Sequence, residues 1–158
     1  MERKLDFPKS VLAGDLLAAA KFAELLPDAV FFRREGIIIH CNSAAVKQYR
    51  FTSADDLIGK PSIELLHPDE REGALADRKQ LNVPGHPTHP LPRRQLRQDG
   101  TEFVGDASMA LIDEGAQPTY VMIINDITEH LRLQDSEQNL HGQIADAIDA
   151  MDGTVIQF

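Results

Sequence analysis

Apolar side chains return along this chain with two periods, near 3.6 in some stretches and 2 in others, and the changes of period mark its elements. Leu12, Leu16, Ala19, Ala20, Ala23 and Leu26 share one face of a helix predicted over Val11–Leu26, which Pro27-Asp28 stops. Two short apolar runs, Ala29–Phe32 and Gly36–Asn42, flank the charged turn Arg33-Arg34-Glu35-Gly36 and predict a hairpin.

A succession of short helices follows. Asn42-Ser43 offers an N-cap to a helix over Ala44–Tyr49, and Ser53 one to a turn over Ala54–Ile58 that Gly59 ends. Pro61 starts Ser62–Leu66, and Pro68 starts Asp69–Leu81, whose first turn sets Asp69 and Glu70 against the helix dipole. Asn82–Pro92, with its four prolines, is predicted to be a loop. The period then becomes two. Gln98-Asp99-Gly100-Thr101 is a two-residue hairpin signal between Arg93–Arg97 and Glu102–Leu111. Phe103, Gly105, Ala107, Met109 and Leu111 alternate with Glu102, Asp106 and Ser108, as in a half-buried antiparallel strand. Gly115–Pro118 turns the chain into Tyr120–Asn125, and a long helix closes it. The fold class is therefore α+β.

Composition narrows the function. The 158 residues are 42% hydrophobic and 26% charged, as in an ordinary globular domain, and the formal net charge of −9 opposes binding to nucleic acid. A lone Cys41 forms no internal disulfide, which fits a reducing cytoplasm. The longest apolar stretch, Gly36–Cys41, falls far short of the roughly 20 residues of a membrane span, so no membrane contact is expected of this segment.

Five ordered motifs resemble the PAS family of sensory boxes over about residues 22–129. Leu25-Leu26-Pro27-Asp28-Ala29-Val30 resembles the lead-in to its first strand, and Ile39-His40-Cys41-Asn42-Ser43-Ala44-Ala45 its second strand and asparagine-capped helix. Leu57-Ile58-Gly59-Lys60 with Leu66-His67-Pro68-Asp69-Glu70 is similar to the family's middle section. Arg97-Gln98-Asp99-Gly100-Thr101 resembles the turn between its later strands, and Asn125-Asp126-Ile127-Thr128-Glu129 its closing signature. The resemblance implies a five-stranded antiparallel sheet with short helices packed on one face, a flanking helix over 1–21 and a signalling helix over 130–151. It also implies sensing, docking or dimerisation, and a bacterial multidomain signalling protein around this piece. Residues 152–158 resemble the start of a second PAS domain, and a histidine kinase or diguanylate cyclase is the kind of output domain such a parent carries.

Candidate chemistry is sparse. No phosphate loop, nucleophile elbow or metalloprotease helix is present, so no catalytic residue is assigned. His67 is expected to cap its turn and His40 to be a partly buried, hydrogen-bonded ring. His86 and His89 lack a third ligand for zinc, so no metal is expected. Haem-binding relatives place a histidine on the long helix, where this chain has none after His67, and the flavin-binding relatives' reactive cysteine run is missing. Neither cofactor is expected; haem remains a minor alternative through His67, His86 or His89.

A ligand pocket, if formed, is expected between sheet and helices, lined by Ile39, Leu57, Leu65, Phe103, Ala107, Met109, Met122 and Ile124, with the small Gly105 and Ala107 leaving volume. The alternative is a ligand-free interaction module whose space is filled by Phe51, Leu57 or Leu75. Homodimerisation is expected through the stripe Leu12, Leu16, Ala19, Ala20, Ala23. Output is expected to leave through Asp126, Ile127 and Thr128 into a coiled-coil seam of Leu133, Leu140, Ile144, Ala147 and Met151, broken by Glu137.

Overall fold

The computed structural model describes residues 15–78, 92–113 and 117–156, so Leu12, His86, His89 and nearly all of the proline-rich loop lie outside the described residues. Helix α1 (Asp15–Ala23) leads into strands β1 (Ala29–Arg34) and β2 (Ile37–Cys41). Helix α2 (Ser43–Gln48), three 3-10 turns (Ala54–Asp56, Ser62–Leu65, Pro68–Glu70) and helix α3 (Arg71–Arg78) follow. Strands β3 (Arg93–Leu96), β4 (Glu102–Asp113) and β5 (Thr119–Asp126) complete one antiparallel sheet of order β2-β1-β5-β4-β3.

Two turns set that sheet's registers. Glu35 and Gly36 both take positive φ, 50° and 78°, so β1 and β2 join through a two-residue loop whose twist matches the strands. Between β3 and β4 the loop is longer than the two residues expected: the Gly100 amide donates to the Arg97 carbonyl and the Arg97 amide to the Thr101 carbonyl, with Gly100 at φ 86°. Next to it the Asp99 carboxyl accepts from Thr101 and Arg50, which holds it below the usual carboxylate range.

Each sheet face carries its own core. The inner face joins Ala29, Phe31, Ile38, Cys41, Phe103, Met109, Met122 and Ile124 to Ala45, Tyr49, Leu57 and Leu65 from the helices. Outer residues Val30, Phe32 and Ile39 pack on Ala20 and Ala23 of α1, with Leu16, Ala19 and Leu26 alongside. The described part of the stripe expected to dimerise packs on the chain's own sheet: Ala20 and Ala23 are buried, and α1 covers apolar strand residues that need a cover. Ile39 is likewise not where strict alternation places it. Phe32 pairs with His40 and Arg33 with Ile38, so Ile39 is an extra residue in a bulge and turns to the outer face.

His67 caps the Pro68 turn, its Nδ1 accepting from the Asp69 amide at 3.1 Å. Half-buried His40 lies against the Phe32 ring at 5.8 Å, and no hydrogen bond to its ring is found among the described residues. Burial lowers its pKa, with Glu24 opposing.

From Ile127 the chain forms a separate unit, the single helix α4 (Thr128–Ile156), which runs on past Met151 through the first residues read as a second domain. Leu133, Leu140, Ile144, Ile148 and Met151 are all about half exposed or more.

Candidate functional site

Between the inner face of β3–β5 and the helical layer lies a cavity of about 60 Å³. That is room for about two waters at their liquid share of about 30 Å³ each. Its walls are mostly apolar. Leu65 and Leu66 close one side, Ala74 of α3 another, and Gly105, Ala107, Met109, Met122 and Ile124 form the sheet side. Ser62, Asp77, Arg78, Arg93 and Gln95 supply the polar rim.

Five of the eight residues expected at a pocket meet there: Leu65, Ala107, Met109, Met122 and Ile124. Leu57 and Phe103 share the inner core without lining the cavity, and Ile39 is on the other face. None of the three proposed plugs fills the space, since Leu57 packs in the inner core without lining the cavity, Leu75 is exposed and Phe51 packs at the core's edge. Ala107 lines the cavity. Gly105 acts differently, because a Cβ there would stand 2.8 Å from the Gln95 side chain and 2.9 Å from Ile124, so it permits close packing of β3 against β4 and β5.

Sequence reasoning missed the charged part of the site. Arg33, assigned to a turn, lies inside β1, and period two puts it on the face of Ala29 and Phe31. It is 4% exposed. Nη1 donates to Ser62 Oγ at 3.3 Å, Nη2 to Met109 Sδ at 2.9 Å, and the guanidinium stands 5.5 Å from the Tyr120 ring centre. Its Nε has no hydrogen-bond partner among the described residues. Burial, then the charge of Arg78, lowers Arg33 to about 10, so it stays cationic at neutral pH. Arg78 Nη2 donates to the same Ser62 Oγ at 2.8 Å, and burial lowers its pKa too.

The cavity wall is tied to the core through Tyr49. Its hydroxyl donates to Gln95 Oε1 at 2.9 Å, and its ring meets Phe31 and Phe103 edge-on. Cys41 is buried and its thiol is pushed up to about 12, chiefly by desolvation, so it offers no thiolate at neutral pH. No cluster of three His, Cys, Asp or Glu suited to a metal occurs among the described residues.

A family model described as the PAS fold matches residues 20–127, more than half of the chain. The chain belongs to the PAS family. Three solved PAS structures illustrate the likeness. A domain from Colwellia psychrerythraea is 22% identical with a TM-score of 0.64, covering 73% of this chain and 99% of its own. A domain of a sensory box sensor histidine kinase/response regulator from Geobacter sulfurreducens is 19% identical at 0.57, covering 71% and 94%. A PAS domain of a LuxR-family transcriptional regulator from Burkholderia thailandensis, solved in complex with ethanol, is 22% identical at 0.54, covering 68% and 95%. No protein with a curated description matches. As a PAS domain the chain is a sensory or signalling module.

At the end of this PAS domain's sheet, Asp126 pairs with Arg97 at 3.2 Å. Arg97 also donates to the carbonyls of Gln48 and Glu102 and lies 4.6 Å over the Phe103 ring. The last strand residue is therefore bound to the end of α2 and to the inner core through one side chain.

Proposed function

We propose that this PAS domain senses a small ligand in the cavity between its sheet and helices, and passes its state through Asp126, Ile127 and Thr128 into α4 of a homodimer. The observation that carries this reading is the cavity itself, walled by small and adaptable residues where a fully packed core would hold larger ones. Its size suits a molecule of a few heavy atoms rather than a flavin or haem. The ethanol bound by the Burkholderia domain is a ligand of that scale.

The dimer half rests on α4. Leu133, Leu140, Ile144 and Met151 lie exposed on one 3-4 seam together with Ala147, and a second copy of the helix buries such a seam. A downstream output domain of the same parent chain would receive the signal. No helix among the described residues is long and apolar enough to cross a membrane, and we place the domain's work in the cytoplasm.

Light scattering on the full chain tests the assembly. The wild type is expected at twice the monomer mass, and Leu140→Glu with Ile144→Glu at the monomer mass with an unchanged melting temperature, because both side chains are exposed in one chain. A monomeric wild type, or a variant that remains dimeric, would contradict the seam.

A further inference from the structure

The charge balance around the cavity is uneven. Asp77 pairs with Arg93 at 2.6 Å, Glu70 with Arg93 at 3.8 Å and Arg94 at 3.7 Å, and Asp69 with Arg94 at 3.4 Å. These carboxylates are therefore held at the β3 side. Arg33 and Arg78 have no carboxylate partner among the described residues, although Arg33 is one of the most deeply buried charged side chains in the domain. Both reach for Ser62 Oγ, whose two lone pairs are thereby used and whose neutral hydroxyl compensates neither charge. A buried cation without a counter-ion is costly, and an arginine fork is shaped for a planar carboxylate.

Ser62, Arg78 and Met109 line the cavity; the Arg33 guanidinium does not line it itself but is bonded directly to two of these residues, Ser62 and Met109. The rest of the wall is mostly apolar, and its other polar members are Gln95 and the Asp77–Arg93 pair, whose charges offset each other. A molecule seated there meets positive charge at one end and hydrocarbon at the other. Resting on the reading of the cavity as a ligand site, we infer that its ligand is a short-chain monocarboxylate, its carboxylate held at Ser62 between Arg33 and Arg78 and its carbon chain against Ala107, Met122 and Ile124. The free volume of about 60 Å³ limits its carbon chain to about two or three carbons, each taking roughly the volume of a water.

Sodium butyrate, n-butanol and n-butylamine, matched in chain length and ionic strength, separate the contributions. Calorimetry and melting temperature on the full chain are expected to show butyrate binding best, n-butanol more weakly and n-butylamine not at all. Arg78→Gln is expected to weaken butyrate by about tenfold or more, the scale of a hydrogen bond to a charged group, and to leave n-butanol unchanged. Arg33→Met is expected to act the same way; should it fail to fold, Arg78→Gln decides alone. Equal binding of butyrate and n-butanol, or wild-type butyrate affinity in Arg78→Gln, overturns the carboxylate assignment while leaving the cavity as a ligand site. Binding of none of the three overturns both.

Discussion

Asn42→Ala is expected to lower the unfolding free energy by about 4 kcal/mol, since it strands several buried backbone groups at about 1–3 kcal/mol each and some find water or shift. The side chain is 1% exposed and saturated. Its Oδ1 accepts from the amides of Val30 and Ala45, both at 3.0 Å, and its Nδ2 donates to the carbonyls of Ala23 and Asp28, both at 2.8 Å. One amide thus joins the end of α1, the start of β1 and the first turn of α2. Such a loss is a large share of the about 5–15 kcal/mol that holds a domain together. Urea unfolding with an unchanged slope measures it; a loss under about 1 kcal/mol would show that the four groups find other partners.

Tyr49→Ala is expected to cost about 3–5 kcal/mol, the range for emptying a large aromatic site in a packed core. The ring is fully buried between Phe31 and Phe103, so little can collapse into the space. Tyr49→Phe isolates the hydroxyl. It leaves Gln95 Oε1 without its donor, at about 1–3 kcal/mol, and frees one wall of the cavity. Thermal unfolding of the two variants side by side reads both effects. A Phe variant as stable as wild type would show that the Gln95 contact contributes nothing.

Period-two patterning made β4 and β5 legible, because each strand is long, regular and faces apolar cover. Phe103, Ala107, Met109, Met122 and Ile124 all lie on the inner face as alternation demands. The same rule failed at Ile39. A single bulge inverts a strand's facing, and nothing in Ile37-Ile38-Ile39 marks which residue is the extra one. Apolar spacing also located the buried stripe of α1 but could not say what covers it. A stripe looks the same whether its partner is a second copy or, as here, the chain's own sheet.

At the site the legible part was hydrocarbon and the missed part was charge. Arg33 reads as part of a charged turn and Arg78 is not singled out, because arginine is usually solvated. Their positions emerge only when strand β1 extends through Arg34 and α3 is folded over the cavity. The Arg97–Asp126 pair was half legible: the closing motif drew attention to Asp126, but its partner sits 29 residues away in sequence.

The central claim is that the space beneath α3 is a ligand site, and Ala107→Phe tests it by filling that space from the sheet. Ala107 lines the cavity and is packed beside the inner core, so the added ring enters about 60 Å³ of free volume. The decisive measurement is the shift in melting temperature produced by saturating sodium butyrate or n-butanol in wild type and in Ala107→Phe. A ligand-induced rise in the wild type that disappears in a folded Ala107→Phe is the expected result; a rise of the same size in both proteins would contradict the account.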